Sequence, residues 1–180
     1  VLTRQADSIN AGSLLPLPKP YIVPGGRFGE IYYWDSYFTI LGLQAARKNG
    51  MIENMADNFA HLINQVGHIP NGNRSYYLSR SQPPYFSLIV DVVDQVNGVN
   101  TLKKYLPTLE KEYAFWMHGV EGLSAEKNTN RRVVRLQDGS VLNRYWDDHA
   151  APRPEAYKED IETAKESNRP AKDVYRHLKA

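Results

Sequence analysis

Apolar residues return every three to four positions in four successive windows of this chain, and no other feature limits its fold as strongly. From Trp34 to about Asn49 the set is Tyr37, Leu41 and Ala45 with Phe38 and Leu43, and Gly50 is placed to end a helix. From Met51 to Val66, Met55, Phe59, Leu62, Ile63 and Val66 share one face, and Gly67 follows. A third helix is predicted from about Pro84 to Val96, started by Pro83-Pro84 and ended by Asn97-Gly98. The fourth window, about Asn100 to Val120, has Leu102, Tyr105, Leu106, Leu109, Tyr113 and Trp116 at helical spacing. Pro107 lies inside it and leaves two readings open, one continuous helix or a helix that begins there after a separate turn. A polar helical stretch, Glu155 to Lys165, and a short helix from about Pro170 complete the chain.

Two regions break the rhythm. Residues 1–26 hold Pro16, Pro18, Pro20, Pro24, Gly25 and Gly26, which predicts an extended arm. Arg132 to Leu136 and Val141 to Trp146 flank Gln137-Asp138-Gly139-Ser140, the pattern of a β-hairpin near 132–146. The expected class is all-α: helical hairpins whose polar, aromatic-rich loops line one cleft. With 180 residues the chain suits one domain with a sizeable core. No apolar run has membrane-spanning length, which argues against a membrane partner. Its 22 basic and 20 acidic residues leave a net charge of +2, too balanced for nucleic acid. Cysteine is absent, so disulfides and thiolate metal sites are excluded. There is neither a start Met nor a signal segment, so the chain is expected to be processed or cut from something longer.

Three segments carry chemistry. In Pro24-Gly25-Gly26-Arg27-Phe28-Gly29-Glu30-Ile31-Tyr32-Tyr33-Trp34-Asp35-Ser36-Tyr37 the glycines allow a tight turn, Arg27 offers a planar fork of donors, and Asp35 offers two acceptor oxygens. Guanidinium donors, carboxylate acceptors and aromatic platforms fit the hydroxyls and apolar ring faces of a sugar. Taken singly, these residues also read as a loop-to-helix junction, with Trp34 in the core and Asp35 in a first turn favoured by the helix dipole. The second segment, Pro70 to Pro84, contains Asn71, Asn73, Arg74, Arg80, Ser81 and Gln82 and almost no core material, so it reads as a turn or a site. The third is Tyr145-Trp146-Asp147-Asp148-His149 with Arg153-Pro154-Glu155 beyond it. Adjacent residues rarely chelate one ion, so Asp147-Asp148-His149 reads as a solvated or sugar-facing acidic loop, with no metal site expected. His61, His68, His118 and His177 have no partner at ligand spacing. Neither a phosphate-cradling loop nor a nucleophile elbow is present.

Taken as one phrase, Pro24 to Tyr37 resembles the signature of the trehalase family, glycoside hydrolase family 37: Pro-Gly-Gly-Arg-Phe, then Glu, Tyr, Trp-Asp and Tyr at matching spacings. Asn71-Gly72-Asn73-Arg74-Ser75-Tyr76-Tyr77, Arg80-Ser81-Gln82-Pro83-Pro84 and Arg153-Pro154-Glu155 resemble further segments of that family, and the likeness is closest to the bacterial enzymes. The resemblance implies part of an (α/α)6 toroid and an inverting hydrolase of α,α-trehalose that uses no metal or organic cofactor. It also implies substrate-binding positions at Arg27, Trp34, Asp35, Asn71, Arg80, Ser81, Gln82, Arg153, Pro154 and Glu155.

One departure stands out. The family's general acid belongs to a Gly-Trp-Asp triplet, and Trp34, Trp116 and Trp146 are in other contexts. The family's second signature and its general base are also missing. Residues 1–180 are therefore expected to be the N-terminal part of one catalytic domain, with no catalytic residue of their own and both carboxylates beyond the C-terminus. The intact protein is expected to be a monomer in the periplasm or the cytoplasm, the periplasm being favoured. The alternative is a non-catalytic sugar-binding or helical interaction module.

Overall fold

A computed structural model of the chain describes residues 2–4, 12–98 and 100–179. Two compact units divide them, Val1–Tyr113 and Ala114–Ala180.

In the first unit, strands β1 (Leu2–Arg4) and β2 (Tyr21–Val23) pair antiparallel, Leu2 opposite Val23. Helices α1 (Tyr33–Ala45), α2 (Asn49–Val66), α3 (Phe86–Asn97) and α4 (Asn100–Met117) follow, the last turn of α4 falling in the second unit. The period in the sequence explains α2 and α3 directly. Ile52, Met55, Ala56, Phe59, Leu62 and Ile63 are buried along α2, as are Phe86, Ile89, Val90 and Val93 along α3. Each large side chain so enclosed contributes about 1.5–3 kcal/mol. At the end of α2, Gly67 takes φ 90° and its N–H bonds the Ile63 carbonyl.

Part of the expected arm is core. Leu17, Tyr21, Ile22 and Val23 are buried with α1, α2 and α3. Asn58, wholly buried on α2, holds the arm like a backbone pair: its Oδ1 accepts from Lys19 N–H at 3.0 Å and its Nδ2 donates to Lys19 O at 2.9 Å. Residues 5–11 of the arm lie outside the described residues.

Three details differ from the sequence reading. Helix α1 stops at Ala45, and the turn is made by Arg47 at φ 55° while Gly50 sits inside α2. Its buried face is Tyr33, Ser36 and Ile40, leaving Trp34, Phe38 and Leu41 exposed, because a helix apolar nearly all round gives the period no single face to mark. Of the two readings left open at Pro107 the continuous helix is observed, but the buried face of α4 differs from the expected one. Pro107 and Lys103 are both exposed, so water can serve the Lys103 carbonyl that loses its helical partner. Along α4 the buried residues are Thr101, Tyr105, Thr108, Glu112 and Trp116, whereas Leu102, Leu106 and Tyr113 face out.

In the second unit the predicted hairpin is present as β4 (Val133–Arg135) and β5 (Val141–Asn143), and β3 (Thr129–Asn130) extends it to three antiparallel strands. Helices α5 (Tyr157–Glu166) and α6 (Ala171–Lys179) pack through Ile161, Ala164, Val174, Tyr175 and Leu178.

Candidate functional site

The first two polar segments interlock within the first unit. Gly25 and Gly26 have φ 98° and 60°, and Gly25 and Phe28 exchange backbone hydrogen bonds, which closes a turn with exposed Arg27 near its tip. The Arg27 guanidinium lies 4.9 Å from the Phe28 ring centre. Tyr32 bridges to Gly72, where a Cβ would come within 3.2 Å of Tyr77 and 3.3 Å of Tyr32, so glycine lets the two rings close around the backbone. Fully buried Asn73 accepts from Ile31 N–H at 2.9 Å and donates to Leu15 O at 3.2 Å. Arg74 Nε pairs with Glu30 Oε1 at 2.5 Å, and Tyr32 OH donates to Glu30 Oε2 at 3.2 Å. Arg74 is therefore a strut between the segments.

The start of α1 carries Trp34 and Asp35, both exposed. Trp34 N–H donates to Gln82 Oε1 at 3.1 Å, so Gln82 caps a helix end that would otherwise lack an acceptor. Asn71 N–H donates to the Arg80 carbonyl at 2.9 Å, and the Arg80 guanidinium stands 5.5 Å from the Tyr77 ring centre. Ser81 Oγ donates to Gln82 O at 3.2 Å. Thus the seven expected residues of this unit lie on segments that the fold ties together: Arg27, Trp34 and Asp35 on one, Asn71, Arg80, Ser81 and Gln82 on the other.

Arg153, Pro154 and Glu155 belong to the second unit, where Pro154 begins a single 3-10 turn, Pro154–Ala156. Arg153 is clamped by Asp160, with Nη2 to Oδ1 at 2.6 Å and Nε to Oδ2 at 3.1 Å. The hydrogen-bonded guanidinium holds the Asp160 carboxyl below the usual range.

The solvated-loop reading holds for exposed Asp148 and His149 but needs correction at Asp147. Asp147 is buried and pairs at 3.1 Å with Lys179, whose side chain is also buried. Asp148 accepts from Trp146 Nε1 at 2.9 Å and lies 3.4 Å from both Arg131 and Arg132. Desolvation opposes ionisation of Asp148, but the indole N–H and the two arginines outweigh it and keep its pKa low. What this loop presents is aromatic and basic: Arg144 and Arg176 stand 5.0 and 5.3 Å from the Trp146 ring centre, beside a cavity of about 720 Å³ that Tyr145, Arg169 and His177 also line. Among the described residues no group of three or more His, Asp or Glu side chains is arranged to hold a metal ion.

Sequence reasoning passed over Glu112. It lies on the buried face of α4 and accepts a hydrogen bond from Tyr33 OH, while that oxygen accepts from Phe86 N–H at 2.8 Å. Burial pushes the Glu112 carboxyl up to about 7, against the opposing effect of the Tyr33 hydrogen bond. The signal was present: Tyr105, Glu112 and Trp116 share one helical face, and a carboxylate in that series needs a buried partner.

Comparison with known proteins bears on these segments as a whole. A family model described as Trehalase matches residues 1–180. Periplasmic trehalases from Escherichia coli O1:K1 / APEC and Shigella flexneri serotype 5b (strain 8401) are each 59% identical over 182 residues, covering 100% of this chain and 32% of their own length. The chain therefore spans about a third of the length of these curated relatives. The solved structure of neutral trehalase Nth1 from Saccharomyces cerevisiae matches with a TM-score of 0.56 and 28% identity, covering 99% of this chain and 32% of that one. The fold class expected from the sequence is confirmed: mostly helical, part of an (α/α)6 toroid, with a small antiparallel sheet.

Proposed function

Since the chain belongs to the trehalase family, we propose that the complete protein hydrolyses α,α-trehalose to two glucose molecules, with this chain supplying sugar-binding side chains. The observation that supports this most is the interlock of residues 24–37 with residues 70–84. It leaves Arg27, Trp34 and Asp35 exposed and ties Trp34 to Gln82, while Asn73, Arg74 and Glu30 are used as struts. Arg27 and Arg80 would donate to sugar hydroxyls, Asp35 would accept, and Trp34 would meet a ring face. Arg153, Pro154 and Glu155 are proposed as further sugar contacts, with Asp160 fixing the orientation of the Arg153 fork.

Inversion requires one carboxylic acid to protonate the bridging oxygen and a second carboxylate, about 6.5–9.5 Å away, to activate water on the opposite face. We place both outside residues 1–180. Three carboxyl groups here have other employment: Asp147 is paired to Lys179, and Asp148 and Asp160 are kept ionised and held by arginines, the wrong state for an acid and an engaged one for a base. Glu112 has an acid's pKa but is 5% exposed and capped by Tyr33. The chain is taken as part of one catalytic domain, in a monomer of the periplasm, the compartment in its bacterial relatives' names. The test is glucose release from trehalose by the complete purified protein, with maltose and sucrose as controls. Turnover of trehalose alone is expected, and equal turnover of the other sugars would overturn the reading.

A further inference from the structure

Three elements meet at the Tyr33 hydroxyl. Tyr33 is the first residue of α1, directly before Trp34 and Asp35. Its oxygen accepts from the backbone N–H of Phe86, the first residue of α3, and its proton goes to the Glu112 carboxylate on α4. Pro83 and Pro84 stand between Gln82 and Tyr85, and their fixed φ angles make that link stiff. A hold on Phe86 is therefore passed back to Gln82, Ser81 and Arg80. Gln82 in turn accepts from Trp34 N–H at 3.1 Å, which closes a second tie between the same two segments. One tie would leave a pivot, whereas two set an orientation.

We propose that Glu112 is a positioning residue for trehalose binding, acting through Tyr33 to hold the Trp34-Asp35 end of α1 in register with the Arg80-Ser81-Gln82 segment. The inference rests on the functional reading above and deepens it. Stability alone is a poor reason for a carboxylate here. Burial disfavours its charge, as its raised pKa records, and an apolar side chain of similar volume would fill the space without that cost. What the carboxylate adds is direction: it orients the Tyr33 proton toward α4, so the Tyr33 oxygen stays available to Phe86 N–H. Sugar recognition by several hydrogen bonds at once is sensitive to displacements well below one bond length, so a loosened register is felt first in substrate affinity.

The test is steady-state glucose release by the complete protein in three variants. Tyr33→Phe removes the hydroxyl, Glu112→Ala removes the acceptor, and Glu112→Gln keeps an acceptor carbonyl. The first two are expected to raise KM for trehalose roughly tenfold with kcat within about threefold, and Glu112→Gln to restore KM to within about threefold of wild type. A purely structural role would lower the folded fraction, hence apparent kcat, and leave KM unmoved. Unchanged KM in Tyr33→Phe and Glu112→Ala, or Glu112→Gln as impaired as Glu112→Ala, overturns the proposal. If Glu112→Ala does not fold, Tyr33→Phe decides alone. A wild-type protein that releases no glucose overturns the functional reading and this inference with it, whereas an active wild type with indifferent variants overturns only the inference.

Discussion

The Asp147–Lys179 pair is a sensitive contact of the second unit, because both side chains are buried and both are charged. Lys179→Met leaves Asp147 enclosed without its cation. The expected loss is about 3–5 kcal/mol of unfolding free energy, read by urea denaturation. Glu112 makes the protein's stability depend on pH in a direction unusual for a carboxylate. Its pKa rises from 4.5 in the unfolded chain to about 7, so between those values the folded state holds a proton that the unfolded state has released. Stability must fall as pH rises through that window, by about 3 kcal/mol in all, and Glu112→Gln should flatten the fall in a melting series. Asp160 acts oppositely: its depressed pKa gives stability that is present above 3.8 and is lost as pH falls through the folded value. None of these pairings was legible in the sequence. Tyr33 and Glu112 are 79 positions apart, and Arg153 and Asp160, seven positions apart, are separated by a turn into a helix, so no local period links either pair. The residues of the polar segments were legible as a group because core packing had no use for them. Which of them would become struts was not, since only the fold brings Arg74 to Glu30 while Arg27 stays exposed over Phe28.

Among the elements, α4 holds the most testable irregularity. A proline in a helix interior forfeits one backbone hydrogen bond and crowds the preceding turn, at about 3 kcal/mol relative to alanine. Exposure at Pro107 and Lys103 relieves part of that. Pro107→Ala is therefore expected to stabilise the protein by about 1–3 kcal/mol, and a lowered melting temperature in that variant would show that the proline serves the packing. The existence of all four helices followed from spacing alone. The faces did not follow equally well. On α2 the buried residues are largely the ones the period selects, whereas α1 offers Trp34, Phe38 and Leu41 on one side and Tyr33 and Ile40 on another. Only contact with α2 and α3 chooses between them. The end of α1 was misread because Gly50 looked like a stop and Arg47, at φ 55°, did not.

For the whole molecule the central prediction is that residues 1–180 alone do not hydrolyse trehalose. General acid and base help is worth roughly 10²–10⁴-fold per group, and every buried carboxylate among the described residues has a structural duty. Glucose release should be compared between this chain and the complete protein, and turnover within about tenfold of the longer one would place the catalytic pair inside these residues. The family was legible from one fourteen-residue phrase, while the division of the chain into two units was not, because α4 runs through the boundary without a break in period. The asparagine that grips Lys19 carries a consequence for the order of events in folding. Asn58 and Lys19 are 39 residues apart, and Asn73 and Leu15 are 58 apart, whereas α1 and α2 are joined by only Ala46 to Lys48. Closing the longer loops costs more entropy before any contact repays it, so α1 and α2 pair before the arm closes on α2. Contacts made after the transition state change the rate of escape and not the rate of arrival. Asn58→Ala should therefore hasten unfolding while refolding keeps its wild-type rate, and a seam that closes after the helix pair is one through which this fold comes apart.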